Sequence, residues 1–202
     1  MNLRFTEEFT GIGMKYLVVL AHPLKKSLCH HLLDNLVSNL ELNGHQIQVK
    51  DLYSEKFIGE LTETERKSYF SGAYDSCEVE NDIRQLKEAE ALVIIFPTWW
   101  FSFPAILKGW FDRVWVPGHA FEFSSSASPM LNLKEIKVIT TLGASWWVDK
   151  FVMKSPIKRI IRDALMRNCT KNCEFSMLSL YNSENISDLA LDKFIKKMGK
   201  II

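Results

Sequence analysis

Apolar positions along this chain alternate between two rhythms. Residues 16–21 (YLVVLA) form an unbroken apolar run of strand length, the pattern of a strand covered on both faces. Residues 27–43 follow with Leu28, Leu32, Leu33, Leu36, Val37 and Leu40 at helical spacing. Gly44 then stands where a helix end takes a left-handed residue. Residues 46–52 alternate, with Ile47 and Val49 inward, and predict a strand nearer an edge. Residues 62–70 predict a short helix closed by Gly72, and Val79, Ile83, Leu86 and Ala89 mark another. Residues 91–96 repeat the unbroken pattern as a third strand. Residues 104–116 predict a helix that buries Ile106, Leu107, Trp110, Phe111 and Val114. A fourth strand over 136–142, a helix over 156–166, a fifth strand over 174–180 and a helix over 187–198 complete the alternation.

Strands that alternate with helices predict an α/β fold, an open parallel sheet with helices on both faces. Five strands joined by right-handed crossovers give the order 2-1-3-4-5. Ligands in such sheets bind beyond the carboxyl ends of the strands, where the winding direction switches. Here those are the loops after strands one, three and four.

The 202 residues are enough for one domain with its own core. Residues 14–202 are expected to form it, with residues 1–13 as an extension. A net charge of +1 gives no electrostatic case for nucleic acid or a membrane surface. Apolar runs are strand-sized, which speaks against membrane insertion. The first residues (MNLRFTEEFTGIG) carry acidic groups and no apolar signal core, so a cytoplasmic location is expected. Cys29, Cys77, Cys169 and Cys173 are expected as reduced thiols. The Cys169–Cys173 pair has no second Cys/His pair at zinc spacing, so no metal is expected. The serine-rich run 124–128 reads as a flexible surface loop.

The chemistry concentrates in the three loops. After the first strand comes His22-Pro23-Leu24-Lys25-Lys26-Ser27, leading to a helix N-terminus whose free N–H groups favour an anion. It has neither the P-loop nor the G-x-G-x-x-G pattern, and Ser27 is either a plain helix cap or a phosphate donor. After the third strand, Phe96-Pro97-Thr98-Trp99-Trp100-Phe101-Ser102-Phe103-Pro104 crowds bulky residues onto a turn. One turn cannot point three consecutive aromatics inward, so at least one faces a ligand or a partner chain. A flat ring such as an isoalloxazine fits, with loop N–H groups for its polar rim. After the fourth strand, Thr140-Thr141-Leu142-Gly143 adds hydroxyls and a turn glycine.

These segments resemble the NAD(P)H:quinone oxidoreductases of the flavodoxin-like superfamily, in particular their short bacterial members. The resemblance runs from about Lys15 to the fifth strand. It is most specific over residues 96–114, where Phe96-Pro97, Trp100-Phe101-Ser102 and Pro104-Ala105-Ile106-Leu107-Lys108-Gly109-Trp110-Phe111-Asp112-Arg113-Val114 stand in order. Leu20-Ala21-His22-Pro23 with Ser27, and Thr140-Thr141 with Gly143, add weaker matches. The resemblance implies a flavodoxin-like three-layer sandwich and a flavin, FAD in preference to FMN. It places His22, Ser27, Leu28 and Cys29 around the flavin phosphates. Pro97, Thr98, Trp99, Trp100 and Phe101 would contact the isoalloxazine, and Thr140, Thr141, Leu142 and Gly143 its pyrimidine side. It also implies a homodimer, in which Phe121 and Phe123 from the partner chain cover the substrate pocket.

The implied reaction is ping-pong hydride transfer from NAD(P)H, through flavin N5, to a quinone or similar flat acceptor. The chain departs from the pattern at Leu142, which replaces a second glycine. It departs again at Trp146, Trp147 and Val148, where longer members have a tyrosine that stabilises the reduced flavin. The histidine that follows in those members is absent too. His119 is then the candidate proton donor. The long C-terminal extension of the animal enzymes has no counterpart, so contacts made by it do not carry over. A second reading is an ancillary flavoprotein subunit of a potassium-efflux antiporter. An electron-transfer flavodoxin is disfavoured by the neutral charge, because those proteins are strongly acidic.

Overall fold

The computed structural model describes residues 13–123 and 129–201 of the chain. The expectations for residues 1–12 and for the serine run 124–128 lie outside the described residues. Five strands, β1 (Lys15–Leu20), β2 (Gln46–Asp51), β3 (Ala91–Pro97), β4 (Glu135–Leu142) and β5 (Glu174–Tyr181), pair in parallel in the order β2-β1-β3-β4-β5. β3 is buried along its whole length and β1 everywhere but Lys15, as their unbroken apolar runs require.

The edge strand β2 departs from its predicted alternation. Val49 is exposed, while Lys50 on the opposite face is buried. β2 has a neighbour on one side only, so its apolar face is incompletely covered. The Lys50 ammonium tolerates burial because Glu55 and Asp82 pair with it at 2.7 and 2.9 Å.

Helix α1 (Leu28–Leu42) starts at the Ser27 cap and ends at Asn43, with Gly44 in the left-handed region at φ 74°. α2 (Glu63–Ser68) opens on a reciprocal capping box between Thr62 and Glu65. It stops at Ser68, two residues short of its predicted end, and Gly72 turns the chain beyond it. α3 (Glu80–Glu88) and α4 (Ala105–Val114) follow. The helix predicted over 156–166 is α5 (Pro156–Arg159), which widens into a π-helix over Ile160–Met166 and closes as α6 (Arg167–Cys169). A separate π turn, Val148–Val152, has no counterpart in the predicted elements. α7 (Asp188–Met198) ends the fold. α1 and α7 pack on one face of the sheet, Leu36 of α1 joining Val18, Leu20 and Ile95. α3, α4 and α5 pack on the other, Trp110 of α4 and Ile157 of α5 joining Leu92 and Ile94.

Two contacts hold α4, and with it the loop that precedes it. A Cβ on Gly109 would lie 2.2 Å from the Gly59 carbonyl oxygen, so only glycine permits this approach. Arg113 is buried and donates to both Glu65 carboxylate oxygens (2.9 and 3.1 Å), to the Ile58 carbonyl (2.5 Å) and to Glu78 (2.6 Å). This clamp ties α4 to the connection between β2 and α3. No helix among the described residues is long and apolar enough to cross a membrane.

Candidate functional site

The loops after β1, β3 and β4 converge at the carboxyl edge of the sheet. Threonines lace two of them together. The Thr140 hydroxyl donates to the Phe96 carbonyl at 2.8 Å, so the 2.7 Å contact with Thr98 is a bond donated by Thr98. The Thr98 N–H donates to the Thr141 carbonyl at 2.8 Å. The Thr141 hydroxyl in turn lies 3.8 Å from the Cys29 sulfur in the first turn of α1. Burial pushes the Cys29 thiol up to about 11, which keeps it a neutral, unreactive neighbour. Thr98, Thr140, Thr141 and Leu142 are buried, and Gly143 is exposed at the lip beside them.

The aromatic loop turns in the smallest possible space. Trp99 and Ser102 exchange two backbone hydrogen bonds, 3.2 and 2.9 Å, around the pair Trp100–Phe101. Trp100 and Phe101 have φ of 51° and 56°. Left-handed backbone at both central residues is the pattern of a type I′ turn, which ordinarily takes Asn and Gly. Placing side-chain-bearing residues there costs roughly 1–2 kcal/mol each. Packing does not explain that cost, because Trp100 is 98% exposed. Trp99 is also exposed and Phe101 is half-buried. Pro97 and Phe103 anchor the two ends in the core, Phe103 against Phe96 and Phe111.

Beside this turn, the His22 ring lies 6.4 Å from the Trp99 ring. His22 Nδ1 lies 3.1 Å from the Leu24 N–H and 3.2 Å from the Leu24 carbonyl, so Leu24 fixes the ring in place and the tautomer decides which of the two contacts is the hydrogen bond. Burial, with the neighbouring His30, holds the His22 pKa below the ordinary histidine value. Ser27 caps α1 by accepting the His30 N–H at 3.3 Å. Its oxygen also lies 2.9 Å from His30 Nδ1, and His30 Nε2 lies 3.4 Å from Asp51 at the end of β2. Burial would raise the Asp51 pKa, but hydrogen bonds from Ser54 and the His30 ring hold it below the usual carboxylate range. The sequence reading passed over His30 and Asp51. The spacing of Ser27 and His30, cap and third helical residue, was the available signal.

Leu28 stands half-buried at the start of α1, beside an open groove of about 750 Å³. Lys25 and Lys26 flank one side of that groove, and Asp188 and Asp192 of α7 the other. His119, Phe121 and Phe123 are not part of this cluster within one chain. They follow the far end of α4, whose 10 residues span about 15 Å. His119 lies near Lys87 in the last turn of α3, and burial lowers its pKa. Phe123 and Phe70 are both exposed and pack together at 5.1 Å.

Residues 14–199 match the family described as flavodoxin-like fold. The chain belongs to the flavodoxin-like family. It is 34% identical over 146 residues to NAD(P)H dehydrogenase (quinone) 1 of Cavia porcellus, a match covering 63% of this chain and 53% of that protein. The chain thus spans about half the length of that curated relative. A Haemophilus influenzae protein described as an NAD(P)H oxidoreductase is 28% identical over 177 residues, covering 85% of this chain and 81% of its own. The solved structure of NAD(P)H:quinone oxidoreductase from Methanothermobacter marburgensis shares the fold, with a TM-score of 0.80 at 24% identity, covering 93% of this chain and 94% of that one. In this flavodoxin-like chain, then, the switch-point loops carry an exposed indole, a histidine held by the Leu24 backbone and a helix N-terminus side by side.

Proposed function

We propose that the chain is a flavin-dependent NAD(P)H oxidoreductase acting on a quinone or a similar flat acceptor. The strained Trp100–Phe101 turn carries this reading, because it holds an indole in solvent at the place where a ring would stack. A flavin bound there supplies ping-pong chemistry, taking hydride from NAD(P)H and passing it to the acceptor in the same stacking slot. Trp99, Trp100 and Phe101 orient the rings, with loop backbone at Pro97 and Thr98 and at Thr140, Thr141, Leu142 and Gly143 facing the polar rim. The His22 ring, the Ser27 hydroxyl and the free N–H groups around Leu28 and Cys29 receive phosphate oxygens.

The groove between the Lys25–Lys26 loop and α7 favours FAD over FMN. Its lysines suit a diphosphate, and Asp188 and Asp192, one helical turn apart, suit ribose hydroxyls. A homodimer completes the site. Exposed Phe70 and Ile160 rim an apolar hollow of about 630 Å³ lined by Tyr69, Phe111, Trp115, Phe121 and Leu165, the kind of surface an interface covers. The partner's copy of the 119–123 segment then closes the pocket, with His119 as its proton donor. The cytoplasm, where NAD(P)H is supplied, is the fitting location.

The test is direct. Flavin released by heat from the purified protein should run as FAD on chromatography, and oxidation of NAD(P)H beyond one equivalent per flavin should need a quinone. Initial rates should give parallel double-reciprocal lines. Protein that is colourless, takes up no added flavin and shows no quinone-dependent turnover contradicts the proposal.

A further inference from the structure

We propose that His30 is a proton-linked positioning residue: when its ring is protonated, the Ser27 hydroxyl turns from the ring to the bound phosphate. This rests on the reading that a flavin diphosphate sits at the start of α1.

The hydrogen-bond arithmetic leads to it. Asp51 faces His30 Nε2 at 3.4 Å, so in the neutral ring the proton sits on Nε2 and Nδ1 is an acceptor. Ser27 lies 2.9 Å from that Nδ1 and has one proton, which it must donate there. Its oxygen already accepts the His30 N–H. Neutral His30 therefore consumes the only donor that Ser27 has, and leaves a phosphate facing oxygen lone pairs. Protonation reverses the bond. Nδ1–H donates to the serine oxygen, the O–H is released to a phosphate oxygen, and one positive charge appears within the first turn of the helix.

The charges around His30 set the direction. From β2, Asp51 favours the protonated ring. From the loop before α1, His22 (ring centroids 6.3 Å apart), Lys25 and Lys26 oppose it. Along α1, Asp34 favours it and His31 opposes it, and Asp188 and Asp192 across the groove favour it. A diphosphate adds negative charge among these groups and shifts the balance toward the imidazolium. Diphosphate binding and a proton on the His30 ring then favour each other, so binding takes up a proton and affinity rises as pH falls, by up to about tenfold per pH unit for one group.

The experiment titrates flavin-free protein with FAD from about pH 5.5 to 8.5, following flavin fluorescence. Riboflavin is the phosphate-free control. FMN is avoided because its phosphate monoester titrates near 6. Wild-type protein should bind FAD more tightly as pH falls, with riboflavin affinity flat. His30→Gln should flatten most of the FAD slope, although His22 and His31 remain. Ser27→Ala should weaken FAD binding several-fold at low pH and little at high pH, where the hydroxyl is already turned away. An FAD slope in His30→Gln equal to the wild-type slope overturns the inference while leaving the phosphate site standing. FAD binding no tighter than riboflavin at any pH overturns the phosphate reading itself.

Discussion

The chain uses the dipeptide Trp-Phe twice, ten positions apart, in opposite ways. Trp110 and Phe111 sit on α4 with 1% and 4% of their surface exposed, amid Phe103, Trp115 and Val114. Trp110 also donates its indole N–H to Asp82 at 3.3 Å. Trp100 and Phe101 hold left-handed backbone, and Trp100 meets solvent over 98% of its surface. One pair stabilises the fold, and the other is held up by it. The difference shows that large aromatics are not in themselves core residues. What decides is whether the backbone that carries them is relaxed or strained. Strain at an exposed aromatic points to a ligand, because a fold gains no burial from it.

The contrast breaks most sharply under mutation of the helical pair. Trp110→Ala should cost about 3–5 kcal/mol in denaturant unfolding, from lost burial and the cavity left behind. Trp100→Ala, made in parallel, should shift the unfolding midpoint very little. Equal costs would mean that the two dipeptides do the same work.

The clamp behind α4 gives an effect of comparable size, with a pH signature. Arg113→Met leaves Glu65 buried without its partner and should cost about 3–5 kcal/mol near neutral pH. Burial would raise the Glu65 pKa, but the Arg113 guanidinium and the Thr62 N–H hold it below its ordinary 4.5. Its stabilisation is therefore present above about that pH and fades as pH falls through the lower folded value. In the variant burial dominates, so protonating Glu65 relieves it. The stability gap between wild type and Arg113→Met should narrow on acidification, and unfolding curves from pH 7 to 3.5 check this. A gap that is constant with pH would remove Glu65 from the explanation.

A smaller and opposite effect belongs to the turn. Trp100→Gly suits a left-handed position, so the flavin-free protein should gain about 1 kcal/mol, seen as a higher unfolding midpoint. The same change should weaken flavin binding. A variant that is both less stable and unchanged in binding would overturn the reading of the turn as strained for function.

Much of this was legible in the residues. Unbroken apolar runs marked the buried strands, and the order β2-β1-β3-β4-β5 followed from regular crossovers. The run Phe96–Pro104 marked a crowded turn, and it stands at the carboxyl end of β3. The I′ turn was not legible, because Trp-Phe lacks the Asn or Gly that ordinarily announces one. Nor were the π segments Val148–Val152 and Ile160–Met166, since a single wide turn is too short to set a period of its own in the sequence. The exposure of Val49 and burial of Lys50 depend on neighbours that a strand's own pattern does not contain. His30 meets Asp51 across 21 positions, a contact made by the packing of α1 beside β2. The distance of His119 from the loops follows from the direction of α4, which runs from the carboxyl edge of the sheet to its amino edge.

One titration decides whether the aromatic turn is a flavin platform. Purified wild-type protein and Trp100→Ala are each stripped of flavin and titrated with FAD, with tryptophan fluorescence as the readout. Wild type should bind one FAD per chain and lose tryptophan emission as the ring stacks. Trp100→Ala, folded to the same midpoint, should bind at least tenfold more weakly. FAD binding that is absent in wild type, or equally tight in both proteins, would contradict the assignment of this turn to the flavin.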